Sequence, residues 1–430
     1  MDESTELRVS VLKIFCFMSD LISEHVYNPE HSRLYDFLPR STKLFLPLDL
    51  TRAALEYDTK THFLARKRVP PTFKEVRHIL NLATTNAIAG KLKLVTFDAD
   101  DTIYEDGGTV RKSSTMVQIV VELLRRGVVV SLVTAAGYPG NPERYEQRLC
   151  GILDALAELT SDERARFLVM GGECNYLFET YTHKTSGVVG LREIDGAMWK
   201  DGRGERWPEE EVTALLDAAE AVLLDTVKAL HLSTRILRKE RAVGIINTSN
   251  KRIRYENLEE ISLTLQHELR DFQVPFCAFN GGNDVELRDS DELRNIQGQE
   301  CLHVGDRFTR TGNDTRSRDA ATTIWISNPQ ETVHIMTILL RAIDIAREQK
   351  ETKEERQKEK KRKKKKRKAK VETLASTLAA TALSDNGSSI TSDALGTNVS
   401  SDAESSGSSD ELETTVKAAI QAATTASLAE

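Results

Sequence analysis

Apolar residues change their spacing along this chain, and the changes mark out its elements. Near the start, Val9, Leu12, Phe15, Met18 and Ile22 recur every three or four positions, as on one face of a helix. After two prolines, Thr72 with Glu75 three residues on reads as a capping box. Val76, Ile79, Leu80 and Leu82 supply an apolar face behind it. Residues 1–90 are therefore expected to be helical. From Lys91 the period shifts. Leu92, Leu94, Val95 and Phe97 make a dense apolar run, expected to be a buried strand, which stops at Asp98, Asp100 and Asp101. A helix over 113–126, ended by Gly127, leads to a second apolar strand that runs into Thr134. This is the crossover that parallel strands require. Further strands are expected near 276–279, 302–304 and 323–326, then a closing helix. Between these pieces, 140–275 carries its own pattern: strands over 167–170, 176–180 and 243–246, a long helix from Pro208 to about Leu230, and a helix over 258–269.

The pattern fails from about 348. Residues 350–370 are nearly all Lys, Arg, Glu and Gln, including KKRKKKKRKAK, and a Ser/Thr/Ala-rich acidic stretch runs to Glu430. Blocks of like charge with few apolar residues predict a disordered tail. The basic block admits two readings, a solvated charged helix extension or a localisation or RNA-binding patch. The division expected is 1–90 helical and regulatory, 91–139 with 276–347 as core, 140–275 as an inserted cap, and 348–430 as tail. The net charge of −7 gives no overall pull towards nucleic acid. Five cysteines without a CxxC pair argue against zinc or disulfide frameworks and for a reducing, cytoplasmic setting. No basic-then-apolar leader and no membrane-length apolar run is present.

The chemistry concentrates where the first core strand stops. Strand alternation would put Asp98 and Asp100 on one side, within reach of a hard cation such as Mg²⁺. The carboxyl end of a strand is also where open α/β sheets bind ligands. The bland alternative is a strand leaving the core through a polar Asp-Gly turn. A later segment, CLHVGDRFTRTGND, places Gly305-Asp306 after a short strand and Asp314 eight residues beyond.

The order strand–DxDxT, strand–Thr, strand–GD…ND resembles the haloacid dehalogenase superfamily of phosphotransferases. FDADDTIYEDGG, TAAGYPGNPERYEQRL, GGECNYLFE, FNGGNDV and LHVGDRFTRTGND resemble one branch, the IMP-specific 5′-nucleotidases, from about Arg33 to Arg341. The resemblance implies an α/β fold: a Rossmann-like core with an inserted α/β cap and an N-terminal helical region. It implies Mg²⁺-dependent hydrolysis of IMP to inosine and phosphate. Asp98 would attack phosphorus and Asp100 act as general acid and base. Thr134 would bind phosphate, and Asp98, Asp100, Asp306 and Asp314 would hold Mg²⁺. Tyr104, Asp106, Arg148 and Trp325 would bind the nucleoside, with Asp284 a further substrate ligand and Glu173 and Asn175 near the base edge. The family's helical region implies ATP activation and assembly into a homo-oligomer, a tetramer there. The basic cluster of Arg68, Lys74, Arg77 and His78 would suit the effector's phosphates. The chain begins later than that family's pattern, which would touch regulation and assembly before catalysis. The superfamily's motif lysine is not found: after FNGGNDV no lysine occurs before His303. Arg288, Arg294, Lys184 and Lys251 are the substitutes nearest in sequence or in the cap. Two rival readings follow, a phosphatase for another small phosphate ester and a catalytically weak nucleotide-binding homologue.

Overall fold

The apolar run before the carboxylates forms β1 (Leu94–Asp98), buried at every position. The computed structural model describes residues 3–39, 41, 43–105, 108–134, 141–172, 176–183, 186–199, 208–239, 242–249, 251–274, 278 and 296–384. It divides into two units, 1–347 and 348–430. In the first unit β1 pairs in parallel with β2 (Val129–Val133) on one side and β8 (Cys301–Gly305) on the other. Beyond β2 come β3 (Phe167–Gly171), β4 (Tyr176–Thr182) and β5 (Val189–Ile194), and beyond β8 comes β9 (Thr322–Trp325). Among the described residues the order is β5-β4-β3-β2-β1-β8-β9. The β3-β2-β1-β8-β9 portion is parallel throughout, and β4 and β5 extend it antiparallel. This is the Rossmann-like α/β core expected.

Among the described residues, the α-helices before the sheet are α1 (Glu3–Tyr27), α2 (Leu34–Phe37), α3 (Leu50–Thr61) and α4 (Phe73–Ile88). The Thr72–Glu75 capping box starts α4 as read. Phe15, Ile22, Leu50, Phe63, Ile79 and Leu82 close a core of their own, separate from the sheet's. Helix α5 (Thr115–Arg125), capped by Ser114 and stopped at Gly127 with φ +74°, buries Met116, Ile119, Val120, Leu123 and Leu124 on the sheet. Only glycine adopts that φ without strain. After β2 come α6 (Pro142–Leu156) and α7 (Ser161–Arg164); after β5 come α8 (Gly196–Trp199), α9 (Glu209–Ala229), the hairpin β6 (Thr234–Arg238) with β7 (Val243–Asn247), and α10 (Tyr255–Glu268). Helix α11 (Pro329–Ser384) follows β9.

Two features differ from expectation. The segment 140–275 is not a single inserted body: β3 is a wholly buried apolar run that pairs with β2, so β3, β4 and β5 belong to the main sheet. What stands apart is α9, β6, β7 and α10, packed around Val212, Leu215, Leu216 and Leu269. Strands β5 and β6 were not predicted, because VGLREI and TRILR mix long charged side chains into short runs. In the second unit, 348–384 is helical, in line with the reading of the basic block as a solvated charged helix extension. Lys, Glu, Arg, Gln and Ala are strong helix formers, and pairs such as Glu359–Lys363 at 2.7 Å add support. The strand expected near 276–279 lies outside the described residues. Among the described residues no helix is long and apolar enough to cross a membrane.

Candidate active site

Parallel pairing sets the C-terminal ends of β1 and β8 side by side, with Phe97 opposite Val304. The next residues up are Asp98, which closes β1, and Gly305 with Asp306 behind it. Asp314 stands in the first turn of the 3₁₀ helix Asn313–Asp319 and folds back over Gly305, where a Cβ would overlap its carboxylate. Asp98, Asp306 and Asp314 thereby offer oxygens that all lie within 4.8 Å of one another. Asp98 and Asp314 are buried, 7% and 2% exposed. Burial, then the charges of Asp314, Asp306 and Asp100, push the Asp98 carboxyl well above the ordinary carboxylate range. Asp306 is pushed up to about 6, chiefly by burial, with Asp314 and Asp101 adding and Arg307 opposing. Asp306 Oδ1 is buried without a hydrogen-bond partner among the described residues. Three clustered carboxylates, with Asp98 and Asp306 pushed upward and one Asp306 oxygen orphaned, form an all-oxygen set that fits a hard divalent cation.

Asp100 does not join them through its side chain. Strand β1 ends at Asp98 and the backbone turns, with Asp101 at φ +56°, so alternation does not extend to Asp100. Its carboxylate instead lies 3.7 Å from Arg148 Nη1 of α6. Arg148 also hydrogen-bonds the buried Tyr104 hydroxyl, which burial and then Asp100 push upward. Asp100, Tyr104 and Arg148 thus form a second group beside the first. Thr134, buried one residue past β2, donates its backbone N–H to Met170 O. Trp325 ends β9 and donates its indole N–H to the carbonyl of Asp306 at 2.8 Å, with its ring edge-on to Phe73. It braces the backbone of a cluster residue, a role the expectation of base stacking did not include. Asp106, Asp284, Glu173, Asn175, Lys184, Arg288 and Arg294 lie outside the described residues. Lys251 is exposed.

The basic cluster of α4 is divided. Lys74 is exposed, whereas Arg77 is buried and donates to Trp325 O at 2.7 Å and to Glu331 at 3.0 Å. His78 Nε2 lies 3.1 Å from Glu331 as well. Burial alone would raise the Glu331 carboxyl, but hydrogen bonds from Arg77, His78 and Ser327 together hold it at about 2. Arg77 is therefore committed to a carboxylate of the chain itself. His78 and Glu331 line a cavity of about 250 Å³ with Tyr57, Lys60, Asn81 and His334.

Three residues at the cluster were missed in the sequence. His303 Nε2 lies 2.7 Å from Asp314 Oδ1, and its Nδ1 lies 2.8 Å from Thr96 Oγ1. Arg307 donates its backbone N–H to Asp314 Oδ2 at 2.8 Å, and its Nε lies 3.4 Å from Asp306. The available signal was a polar residue inside each of two apolar strands.

A family model described as IMP-specific 5′-nucleotidase matches residues 3–336. The IMP-specific 5′-nucleotidase 1 of Neurospora crassa is 38% identical over 360 residues, covering 75% of this chain and 83% of the relative. That of Saccharomyces cerevisiae is 38% identical over 351 residues, covering 72% and 78%. Among solved structures, an IMP-bound mutant of Plasmodium falciparum IMP-nucleotidase matches with TM-score 0.70 at 31% identity, covering 80% of this chain and 91% of that one. The ATP-bound form of that nucleotidase matches with TM-score 0.65 at 32% identity, covering 77% and 79%. With the family model spanning most of the chain and relatives at this identity and coverage, the chain belongs to the IMP-specific 5′-nucleotidase family.

Proposed function

We propose that this chain is a Mg²⁺-dependent phosphomonoesterase that hydrolyses IMP to inosine and phosphate through an aspartyl-phosphate. The observation that carries the reading is the convergence of Asp98, Asp306 and Asp314 at the end of β1. Asp98 attacks phosphorus as a carboxylate, and the bond from phosphorus to the ribose 5′-oxygen breaks. Asp100 gives its proton to that oxygen, then takes one from the water that cleaves the aspartyl-phosphate. Thr134 holds phosphate oxygens. A bound Mg²⁺, held by Asp98, Asp306, Asp314 and the carbonyl of Asp100, would supply the charge that lets Asp98 ionise beside a phosphate. Tyr104, Asp106, Arg148, Asp284 and Trp325 are assigned to the nucleoside.

Segment 208–274, with α9, β6, β7 and α10, is assigned the cap role. The Tyr255 hydroxyl of α10 lies 3.1 Å from Thr309 Oγ1, and Glu259 accepts from Thr311, so the segment grips the loop between Asp306 and Asp314. Closure there would exclude water from the reacting centre. ATP is proposed as an activator near α3 and α4, where His78 lines the cavity, and a homo-oligomer as the assembly. The unpaired thiols Cys16, Cys150 and Cys301 suit a reducing cytoplasm.

The absence of a motif lysine between 286 and 302 favours a second reading, a nucleotide-binding homologue with little turnover. Phosphate release from IMP separates the two. The unaltered chain is expected to release phosphate only with Mg²⁺. Asp98→Asn is expected to abolish release and to melt no lower, since it relieves repulsion in the cluster. Turnover retained in Asp98→Asn would remove the nucleophile assignment; no turnover by the unaltered chain would favour the second reading.

A further inference from the structure

Thr96 and His303 sit opposite each other in the β1–β8 register, both buried, at 1% and 2% exposure. Side chains two apart along a strand share a face, so this pair lies one layer beneath Asp98 and Gly305. His303 is held at both ring nitrogens. Asp314, as a carboxylate, accepts, so Nε2 donates to its Oδ1. Nδ1 meets the Thr96 hydroxyl, which can donate or accept and so holds the ring from behind. Asp314 Oδ2 takes the Arg307 backbone N–H, and Gly305 leaves room beneath the carboxylate. Each oxygen of Asp314 is tied once and keeps lone-pair capacity towards Asp98 and Asp306.

We propose that His303 is a positioning residue, which with Thr96 behind it fixes the orientation in which Asp314 shares a divalent cation with Asp98 and Asp306. This rests on the reading of the three carboxylates as a metal site. The physical reason is geometric. A carboxylate on a free rotor would swing away from two like charges when no cation is present. A buried hydrogen-bond chain anchored in two central strands holds it in place before any cation binds. Partners of this kind behind a ligand typically contribute about 10–100-fold in metal affinity.

The test is calorimetric titration of the full chain with Mg²⁺, without nucleotide, in His303→Leu, His303→Gln and Thr96→Val. His303→Leu keeps the burial and loses the donor, and its Kd for Mg²⁺ should weaken by about 10–100-fold. His303→Gln carries an amide N–H to the place of Nε2 and should restore an affinity near that of the unaltered chain. Thr96→Val keeps the shape but removes the partner of Nδ1, and should weaken binding by less than His303→Leu. If His303→Leu does not fold, the comparison of Thr96→Val and His303→Gln with the unaltered chain still decides. Equal weakening in Gln and Leu variants would reduce His303 to a packing role and overturn the proposal, as would full affinity in Thr96→Val together with His303→Leu. Absence of Mg²⁺ binding by the unaltered chain is a different failure, which removes the metal reading itself.

Discussion

Neutralising one member of the carboxylate cluster should make the metal-free protein more stable and the metal-loaded protein less so. Asp306→Asn is the cleanest case, because the two side chains are nearly isosteric and the indole of Trp325 holds the backbone carbonyl, which the substitution leaves unchanged. A carboxyl moved from its ordinary value of 3.8 to about 6 carries roughly 3 kcal/mol of preference for the protonated form. That position already includes the opposing attraction of Arg307, whose side chain is a third exposed and screened by solvent. The net gain expected for Asn in EDTA at pH 7.5 is about 1–3 kcal/mol, or roughly 2–6 °C in Tm. Its sign with pH is fixed. Between pH 3.8 and about 6 the unfolded chain has lost the proton that the folded chain keeps, so the unaltered protein loses stability as pH rises through this window. Asn is indifferent, so its advantage should be small at pH 4.5 and full above pH 7. Saturating Mg²⁺ should reverse the ranking, since a ligand at a hundred times its Kd stabilises the unaltered chain by about 2.7 kcal/mol. Melting curves at the two pH values, each in EDTA and in Mg²⁺, measure all four states. A variant that melts below the unaltered chain in EDTA at pH 7.5, or that gains as much from Mg²⁺, would refute the reasoning.

Gly305→Ala should weaken Mg²⁺ binding and turnover together, because a Cβ there displaces the Asp314 carboxylate; calorimetry beside phosphate release would show a shared loss. Arg148→Ala should narrow the preference for IMP over AMP, measured as kcat/KM for both, because a site that pairs with a polar base edge rejects the opposite polarity. Truncation after Arg347 should leave Tm and IMP turnover nearly unchanged, since the sheet's core closes within the first unit, ending at Ile343.

Local features were legible in the sequence. Strand β1 announced itself by a dense apolar run cut off by carboxylates, and α4 by a capping box that the structure reproduces. Strands β2, β8 and β9 followed from the same contrast, whereas β3 was legible as a strand but not as part of the parallel core. What stayed hidden was set by register between distant segments. Thr96 and His303 each look like a polar intrusion into a buried strand; only pairing across 207 positions turns them into one hydrogen-bonded unit. Arg77 and His78 read as a phosphate cluster because Glu331, their carboxylate, is about 250 positions away. The alternation argument for Asp100 failed because a strand's period holds only while the strand lasts, and the backbone turns at Ala99.

The strand order has a consequence for how the protein comes into being. A growing chain that has reached Ile194 owns β1 to β5 and can pair all five, but the other edge of β1 stays open until β8 is made. Closing so long an intervening loop adds little entropy cost, because that cost grows only logarithmically with length. It does delay the pairing. Asp306 and Asp314 arrive with β8, so the carboxylate cluster is among the last parts to assemble, and a cation of the proposed kind could not template the early steps. During that interval the molecule is a half-sheet with a bare central strand, the edge through which a second copy would add itself. Substitutions that weaken β8 should therefore show first as aggregation during synthesis, before any loss is measurable in the folded enzyme.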